Sequence, residues 1–204
     1  MKGIVMKKRL LFLFVFIYVL FSIFAGKPNG VDQNLPENSF IVFEGYSSGT
    51  WFGLYGVKDD NDKIVLVCEY APYCYIFNKE DLLSVFNTYL KWLSIAKKNN
   101  VDSITKSLCE LDIVTTYWEF GYKTEEKYKS EFIFEYPDGS LYFKGTSQLY
   151  GWSCIFEKND ANELIYYINK SSDMYDAIHK NWIKETQKEA DEETERQRQY
   201  DLFD

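Results

Sequence analysis

The sequence predicts an α+β protein made of two ββββα units that share one core, followed by a charged C-terminal helix. Short apolar and aromatic runs are divided by Gly, Asp and Pro, which is typical of antiparallel meanders. Two longer segments carry apolar residues at helical spacing. The stretch Tyr75–Lys91 also aligns without a gap with Cys154–Lys170. The identical pairs are Ile76/Ile155, Phe77/Phe156, Lys79/Lys158, Asp81/Asp160 and Lys91/Lys170.

The N-terminus has the form of an export signal. Residues 1–9 are basic, and the run Leu10–Ala25 is apolar and uncharged. A helix of that run would be roughly 24 Å long, shorter than the ~30 Å hydrocarbon layer of a membrane. We therefore expect residues 1–25 to be a signal peptide, with an uncleaved membrane anchor as the alternative. Either predicts a periplasmic or extracellular protein, and residues 26–38, rich in turn formers, are predicted to be a linker.

The first unit is predicted to span residues 39–100. Its strands are short apolar runs separated by turn residues, at 40–44, 51–57, 64–68 and 74–77. The polar corner Asn78–Asp81 can cap a helix that runs to about Lys98. Apolar residues at Leu82, Phe86 and Leu93 give that helix one buried face.

The second unit is predicted to span residues 108–170. One further short helix then completes the folded domain, which is predicted to span residues 39–183. Its strands are expected at 111–120, 131–136, 141–143 and 152–156, with a charged connection at 123–129. A helix at Asp160–Lys170 is expected to break at Ser171–Ser172 before the next helix begins at Asp173.

Residues 184–204 form a charged tail with almost no apolar residue before Tyr200. Oppositely charged residues four positions apart favour a solvated helix. We expect this tail to contribute little to folding. Tyr200, Leu202 and Phe203 at its end predict a role in association. The alternative is a disordered end with no role.

The doubled order of four strands and a helix resembles that of the PUR and Whirly single-strand nucleic-acid-binding proteins. This resemblance of element order implies a fold analogue. The chain has a formal charge of −8, however, and without residues 1–25 it has 19 basic and 31 acidic residues, a charge of −12. An acidic surface repels phosphate backbones, so we predict no nucleic-acid partner. Membrane contact is expected only through an uncleaved N-terminal segment.

Few residue patterns point to catalysis. His179 is the only histidine. Gly45-Tyr46-Ser47-Ser48-Gly49 has the Gly-x-Ser-x-Gly spacing, but it falls in a predicted turn between two strands and not in the strand-to-helix elbow that presents such a nucleophile. The cysteines form no Cys-x-x-Cys pair. The sequence therefore predicts no metal site and no cofactor. The alternative is an exported hydrolase that uses carboxylates, for which Glu119, Glu131 and Glu135 are the candidate residues.

The spacing of two of the four cysteines predicts a possible disulfide. Cys68 and Cys74 flank a five-residue segment inside a predicted hairpin, so they could lie directly opposite each other. An exported protein can keep such a bond. The alternative is that all four cysteines are small buried apolar residues.

Aromatic residues are unusually frequent, at 19% of the chain. Tyr and Trp combine apolar area with a polar group and are enriched in binding surfaces. The candidate binding aromatics are Trp51, Tyr55, Tyr73, Trp118 and Trp152. The alternative is that these residues pack both faces of the sheet. Taken together, the sequence predicts an exported, non-catalytic protein that binds an envelope component or another macromolecule.

Overall fold

The computed structural model describes residues 31–48, 50–68, 73–119, 122–145 and 154–200. The predicted signal segment, residues 1–25, lies outside this range. The described elements are α1 (Val31–Asn34), β1 (Ser39–Ser47), β2 (Thr50–Val57), β3 (Asp60–Cys68), β4 (Cys74–Asn78), α2 (Lys79–Lys98), β5 (Ile104–Glu119), β6 (Tyr122–Tyr136), β7 (Ser140–Lys144), β8 (Cys154–Phe156) and α3 (Lys158–Tyr200).

The eight strands form one antiparallel sheet in which each strand pairs with the next along the chain. The predicted α+β class is confirmed. Strand β4 pairs with β5 through Cys74↔Thr116 and Ile76↔Val114, so the two predicted groups of four strands form one continuous sheet. The prediction of two ββββα repeats is not confirmed. The halves also differ in size, since α2 has 20 residues and α3 has 43.

Strands β5 and β6 are 16 and 15 residues long and pair over almost their whole length. Residues 123–129, which we expected to be a charged connection, are therefore part of a strand. Lys129 lies opposite Asp112, and opposite charges in such a position stabilise the pair. Charged residues are tolerated here because the side chains of residues 125–127 and 129 are exposed to water.

One face of the sheet packs against α2 and α3. Buried aromatic residues dominate this core, and many of their rings meet edge to face, such as Phe77 with Phe143 at 5.7 Å between centroids. Leu82, Phe86 and Leu93 of α2 lie in it, as the predicted apolar face requires. A side-chain oxygen of Asn78 caps the helix by accepting a hydrogen bond from the Glu80 N–H at 2.9 Å.

The opposite face of β2, β3 and β4 is also buried. Its smaller core contains Trp51, Tyr55, Val65, Val67 and Cys74 together with Val31 of α1. The Thr116 hydroxyl donates to the Asn34 carbonyl at 2.6 Å, and the Lys123 ammonium donates to the Leu35 carbonyl at 2.7 Å. The described end of the predicted linker is thus fixed to the sheet.

Helix α3 runs without interruption through Ser171 and Ser172, where we expected a break. The Ser171 hydroxyl is fully buried and donates to the Ile168 carbonyl at 2.6 Å. A serine in mid-helix can satisfy its hydroxyl in this way, so the pair does not end the helix. The prediction of separate helices on either side of Ser171–Ser172 is therefore wrong.

The sheet curls so that its last strand approaches its second. The rings of Phe52 in β2 and Phe156 in β8 are 5.5 Å apart and nearly perpendicular. The Ser47 hydroxyl at the end of β1 donates to the Asp160 carboxylate at the start of α3, and Ser48 donates to Glu157 at 3.1 Å. These contacts bring together the two edges of the sheet around the helices.

Candidate functional site: an apolar groove beside helix α2

A groove lies where the last turns of α2 pass the first residues of β5 and the last residues of β6. Its volume is about 200 Å³. Apolar side chains form nearly all of its wall. The groove is lined by Trp92, Ile95, Ala96, Val101, Ile104, Lys106 and Phe134.

The end of α2 shapes one wall of the groove. The N–H of Val101 donates to the Ala96 carbonyl at 3.1 Å, and the N–H of Asn100 donates to the Lys97 carbonyl at 3.3 Å. Asn100 has a φ of 50°, in the left-handed region that asparagine tolerates. This is the Schellman arrangement, in which the residue after the left-handed position contacts the end of the helix. It turns the chain so that Val101 and Ile104 face the side of α2.

Aromatic rings form the second wall. The rings of Trp92 and Phe134 meet edge to face at 6.0 Å between centroids. The ammonium of Lys106 lies 5.0 Å from the Trp92 ring centroid, which is within the range of a cation–π interaction. Lys106 is thereby held at the edge of the groove, where its positive charge borders the apolar wall.

Two isoleucines leave the groove open to solvent. Ile95 is 47% exposed and Ile104 is 37% exposed, whereas the floor residues Ala96 and Phe134 are almost fully buried. Single exposed apolar residues are common on proteins, but these two lie in one concave site together with Trp92. The groove therefore presents a continuous apolar surface to water. The described residues that line it include one charged side chain, Lys106, and no Asp, Glu, His, Ser or Cys.

The candidate carboxylates do not form a catalytic pair around this groove. Glu131 and Glu135 lie on the same face of β6, four residues apart, which corresponds to roughly 13 Å along a strand. Paired glycosidase carboxylates are closer, at about 5–9.5 Å. Glu135 instead lies beside Tyr142 of β7, where partial burial raises the pKa of the Tyr142 hydroxyl and Glu135 adds to this effect. The side chain of Glu119 lies outside the described residues.

His179 is part of a packing contact. Its Nδ1 lies 2.5 Å from the Lys58 carbonyl oxygen, between β2 and β3. Its ring stacks on Tyr175 at 4.8 Å and lies 5.7 Å from the Trp182 ring. The histidine therefore fixes the middle of α3 against the β2–β3 turn.

A buried lysine fixes the other side of the same turn. Lys79 is 8% exposed, and its ammonium donates to the Asn61 side-chain oxygen at 2.7 Å and to the Ser172 hydroxyl at 3.4 Å. Burial lowers the pKa of Lys79, while the nearby carboxylates of Asp62 and Asp60 act in the opposite direction.

Among the described residues, no group of three or more His, Cys, Asp or Glu side chains is placed to hold a metal ion.

The candidate binding aromatics are dispersed. Trp51 and Tyr55 are 2% and 1% exposed, because both faces of β2 are covered, so in this structure they offer no surface to a partner. Tyr73 is half-buried and meets Tyr117 edge to face at 4.8 Å. The side chain of Trp118 and the whole of Trp152 lie outside the described residues.

The structure does not place Cys68 and Cys74 directly opposite each other. Cys74 pairs with Val67, so Cys68 is one residue beyond the paired position. Because successive residues of a strand face opposite sides, Cys68 points into the large core and Cys74 into the small one. The expected pairing fails by a register difference of one residue. Cys68 instead shares the large core with Cys154.

The sequence did not predict the groove, because most of its residues lie outside the predicted apolar face of α2 and outside the predicted strands. Trp92 and Ile95 fall outside the apolar stripe of α2, and Ile104 lies in a segment that we did not expect to be a strand. Two large apolar residues on the polar side of an amphipathic helix were the available signal.

No protein-family model matches the chain, and neither the curated proteins nor the solved structures contain a significant match.

No helix within the described ranges is long and apolar enough to cross a membrane.

Proposed function

We propose that this is an exported, non-catalytic interaction protein whose groove beside α2 binds an apolar protein segment flanked by acidic residues. The observation that carries the proposal is the open apolar groove with one cation at its edge. The predicted carboxylate chemistry lacks comparable support, because Glu131 and Glu135 are far apart along β6.

The size of the groove favours a side chain as its occupant. Pockets for drug-sized ligands are about 300–1,000 Å³, and this groove has a volume of about 200 Å³. One large apolar side chain would bury Ile95, Ile104 and Trp92 from water. Burial of apolar area is favourable by roughly 25 cal/mol per Å², so these residues would supply most of the binding free energy.

The charge of the groove favours an acidic neighbour in the bound segment. Lys106 is the only charged residue in the lining, although the chain as a whole has a charge of −8. Trp92 holds this lysine in place, so its charge is available to a carboxylate at the rim. Charge complementarity of this kind selects among partners and steers their approach.

Export of the protein is part of the proposal and rests on residues 1–25. A basic start followed by the apolar run Leu10–Ala25 supports a cleaved signal, with an anchored form as the alternative. Intact-mass analysis of the protein recovered from native cells distinguishes the two. A soluble, full-length product inside the cell would contradict export.

We also propose that the two halves of the chain are an internal repeat. The gapless match of Tyr75–Lys91 with Cys154–Lys170 supports this, as does the burial of Phe77 and Phe156 in one core. If the positions are equivalent, Phe77→Ala and Phe156→Ala should each cost about 3–5 kcal/mol of unfolding free energy in urea melts. A near-neutral result for either would contradict the equivalence.

Chemical-shift mapping tests the groove directly. The mature ¹⁵N-labelled protein is titrated with acetyl-Glu-Leu-Phe-Glu-amide, and acetyl-Lys-Leu-Phe-Lys-amide serves as the control of opposite charge. We expect saturable shifts at Ala96, Val101 and Ile104 with the acidic peptide and weaker binding of the basic one. Equal shifts with both peptides, or shifts that avoid these residues, would contradict the proposal.

A further inference from the structure

Two buried cysteines meet in the large core although they are 86 positions apart in the sequence. Cys68 is the last residue of β3, and Cys154 is the first residue of β8. They are 1% and 2% exposed. Five strand positions separate them in the order of the sheet, so only the curling of the sheet can bring them together.

The neighbours of each cysteine locate this meeting point. Cys68 pairs with Phe52 across β2 and β3, and Cys154 lies two residues before Phe156 on the same face of β8. The rings of Phe52 and Phe156 are in contact at 5.5 Å. Cys68 and Cys154 therefore lie near each other in the large core, and Cys154 contributes to the raised pKa of the Cys68 thiol after burial.

We propose that Cys68 and Cys154 form a disulfide once the protein reaches an oxidising compartment. This inference rests on the proposed export of the chain. The two thiols lose two protons and two electrons, and a bond forms between their sulfur atoms. The electrons pass to a disulfide-bearing oxidant, either an exported thiol oxidase or a small disulfide, whose own sulfur–sulfur bond is reduced to two thiols.

The remaining cysteines are less suitable partners. Cys74 points into the small core on the other face of the sheet. Cys109 is half-buried in β5, where burial and the carboxylate of Asp81 raise the pKa of its thiol to about 11. Cys68 can thus be linked to Cys154 without moving a side chain through the sheet.

The bond would link β8, a short strand at the edge of the sheet, to β3. Strand β8 has three residues and pairs only with β7 along its described length. Helix α3 begins two residues after β8, so the link would also hold the start of α3 near β3. Closing so long a loop restricts the unfolded chain, which we expect to raise the melting temperature by about 10 °C.

The state of the thiols also determines when the bond can form. Burial raises the pKa of the Cys68 thiol, and the adjacent Cys154 adds to this effect. Because the thiolate is the reactive species, a folded and reduced protein should oxidise slowly. We therefore expect the bond to form while the exported chain folds.

Peptide mapping of the protein recovered from native cells tests the inference. Free thiols are alkylated at lysis, and the protein is digested without a reductant. The expected product joins the peptides of Cys68 and Cys154, with Cys74 and Cys109 alkylated. A Cys68–Cys74 link, or alkylation of both Cys68 and Cys154 in exported protein, would overturn the inference.

Refolding of the purified full-length chain in a glutathione redox buffer separates this inference from the proposed export. If Cys68 and Cys154 link in that buffer but are reduced in a protein found inside the cell, export is wrong and the pairing stands. If the exported protein retains both thiols, the pairing is wrong and export stands.

Thermal melts give a second readout. The oxidised protein should melt about 10 °C higher without dithiothreitol than with it. Cys154→Ala should remove this difference, whereas the control Cys109→Ala should keep it. A Cys154→Ala protein that still responds to dithiothreitol would contradict the proposed bond.

Discussion

Helix α2 and the outer half of α3, residues 184–200, are both regular helices, but different interactions hold them. Helix α2 buries Leu82, Val85, Phe86, Tyr89, Leu93 and Ala96 in the large core. The outer half of α3 is exposed wherever its side chains are described. Its described contacts lie along its own surface and include the ion pairs Lys188–Glu192 at 3.7 Å and Glu192–Arg196 at 3.8 Å.

The comparison shows which part of the chain can carry an interaction surface. Packing fixes α2, so apolar residues on its other side, Trp92 and Ile95, can form a preorganised groove with β5. The described side chains of outer α3 are not covered by a second layer, and Ile183, the residue directly before it, is 51% exposed. The apolar groove thus lies beside α2, the helix that packs against the core.

The largest expected difference concerns the core side of α2. Phe86 is fully buried and meets Phe156 edge to face at 5.5 Å. We expect Phe86→Ala to cost about 3–5 kcal/mol of unfolding free energy, because it leaves a cavity. Gln187→Ala in outer α3 is the control, and it should change the urea midpoint little. Similar losses for both would show that outer α3 is part of the core.

A pH titration should separate two tyrosines of the two helices. Tyr89 is fully buried and donates to the Gly139 carbonyl, and burial raises its pKa above the usual 10.0. The unfolded chain therefore ionises at a lower pH than the folded one, so stability is complete below pH ~10 and falls as the pH rises above it. Partial burial and nearby aspartates also raise the pKa of the half-buried Tyr175.

We expect Tyr89→Phe to reduce the alkaline loss of stability more than Tyr175→Phe does. Urea midpoints measured from pH 8 to pH 11 give the slopes. Equal slopes in the two variants would contradict the assignment of this pH dependence to Tyr89.

Removal of residues 186–204 should change stability by less than about 1 kcal/mol, since exposed ion pairs contribute little. Thermal melts of the truncated and complete chains give the measurement. The prediction that the end of the tail serves association remains untested, because residues 201–204 lie outside the described part. Unfolding of the truncated protein would mean that the tail packs on the sheet.

The smallest expected effect lies within outer α3 itself. Glu192 pairs with Lys188 and with Arg196 on adjacent turns. Glu192→Gln should therefore cost about 0.3–1 kcal/mol of local helix stability, and this cost should vanish in high salt. Amide hydrogen exchange of residues 186–198 at two salt concentrations detects it. A loss that is independent of salt would rule out ion pairing as the cause.

Local patterns in the sequence predicted the α+β class, the capped helix α2 and the exposure of outer α3. Each depends on residues near one another in the chain, such as Asn78 and Glu80 at the start of α2. The long pairing of β5 with β6 was not predictable in this way, because exposed residues around Lys127 carry no apolar alternation. These residues pair because they continue the ladder between β5 and β6.

The contacts that depend on the curling of the sheet could not be predicted from the sequence either. The meeting of Cys68 with Cys154 and of Phe52 with Phe156 requires the two edges of the sheet to approach. Alternation of apolar residues gives the face of each side chain but not the curvature of the sheet. The groove depends on the same tertiary arrangement, through Phe134 and Ile104.

The most direct test of the proposed function compares two exposed isoleucines on helices. Ile95 is 47% exposed in the groove, and Ile183, which directly precedes outer α3, is 51% exposed. Binding of acetyl-Glu-Leu-Phe-Glu-amide is measured by NMR titration for Ile95→Asp and Ile183→Asp. We expect Ile95→Asp to weaken binding at least about tenfold, because it places a carboxylate in an apolar wall and opposes the acidic peptide, equivalent to about 1.4 kcal/mol. Ile183→Asp should bind as the original protein does. Equal affinities of the two variants would contradict binding in the groove.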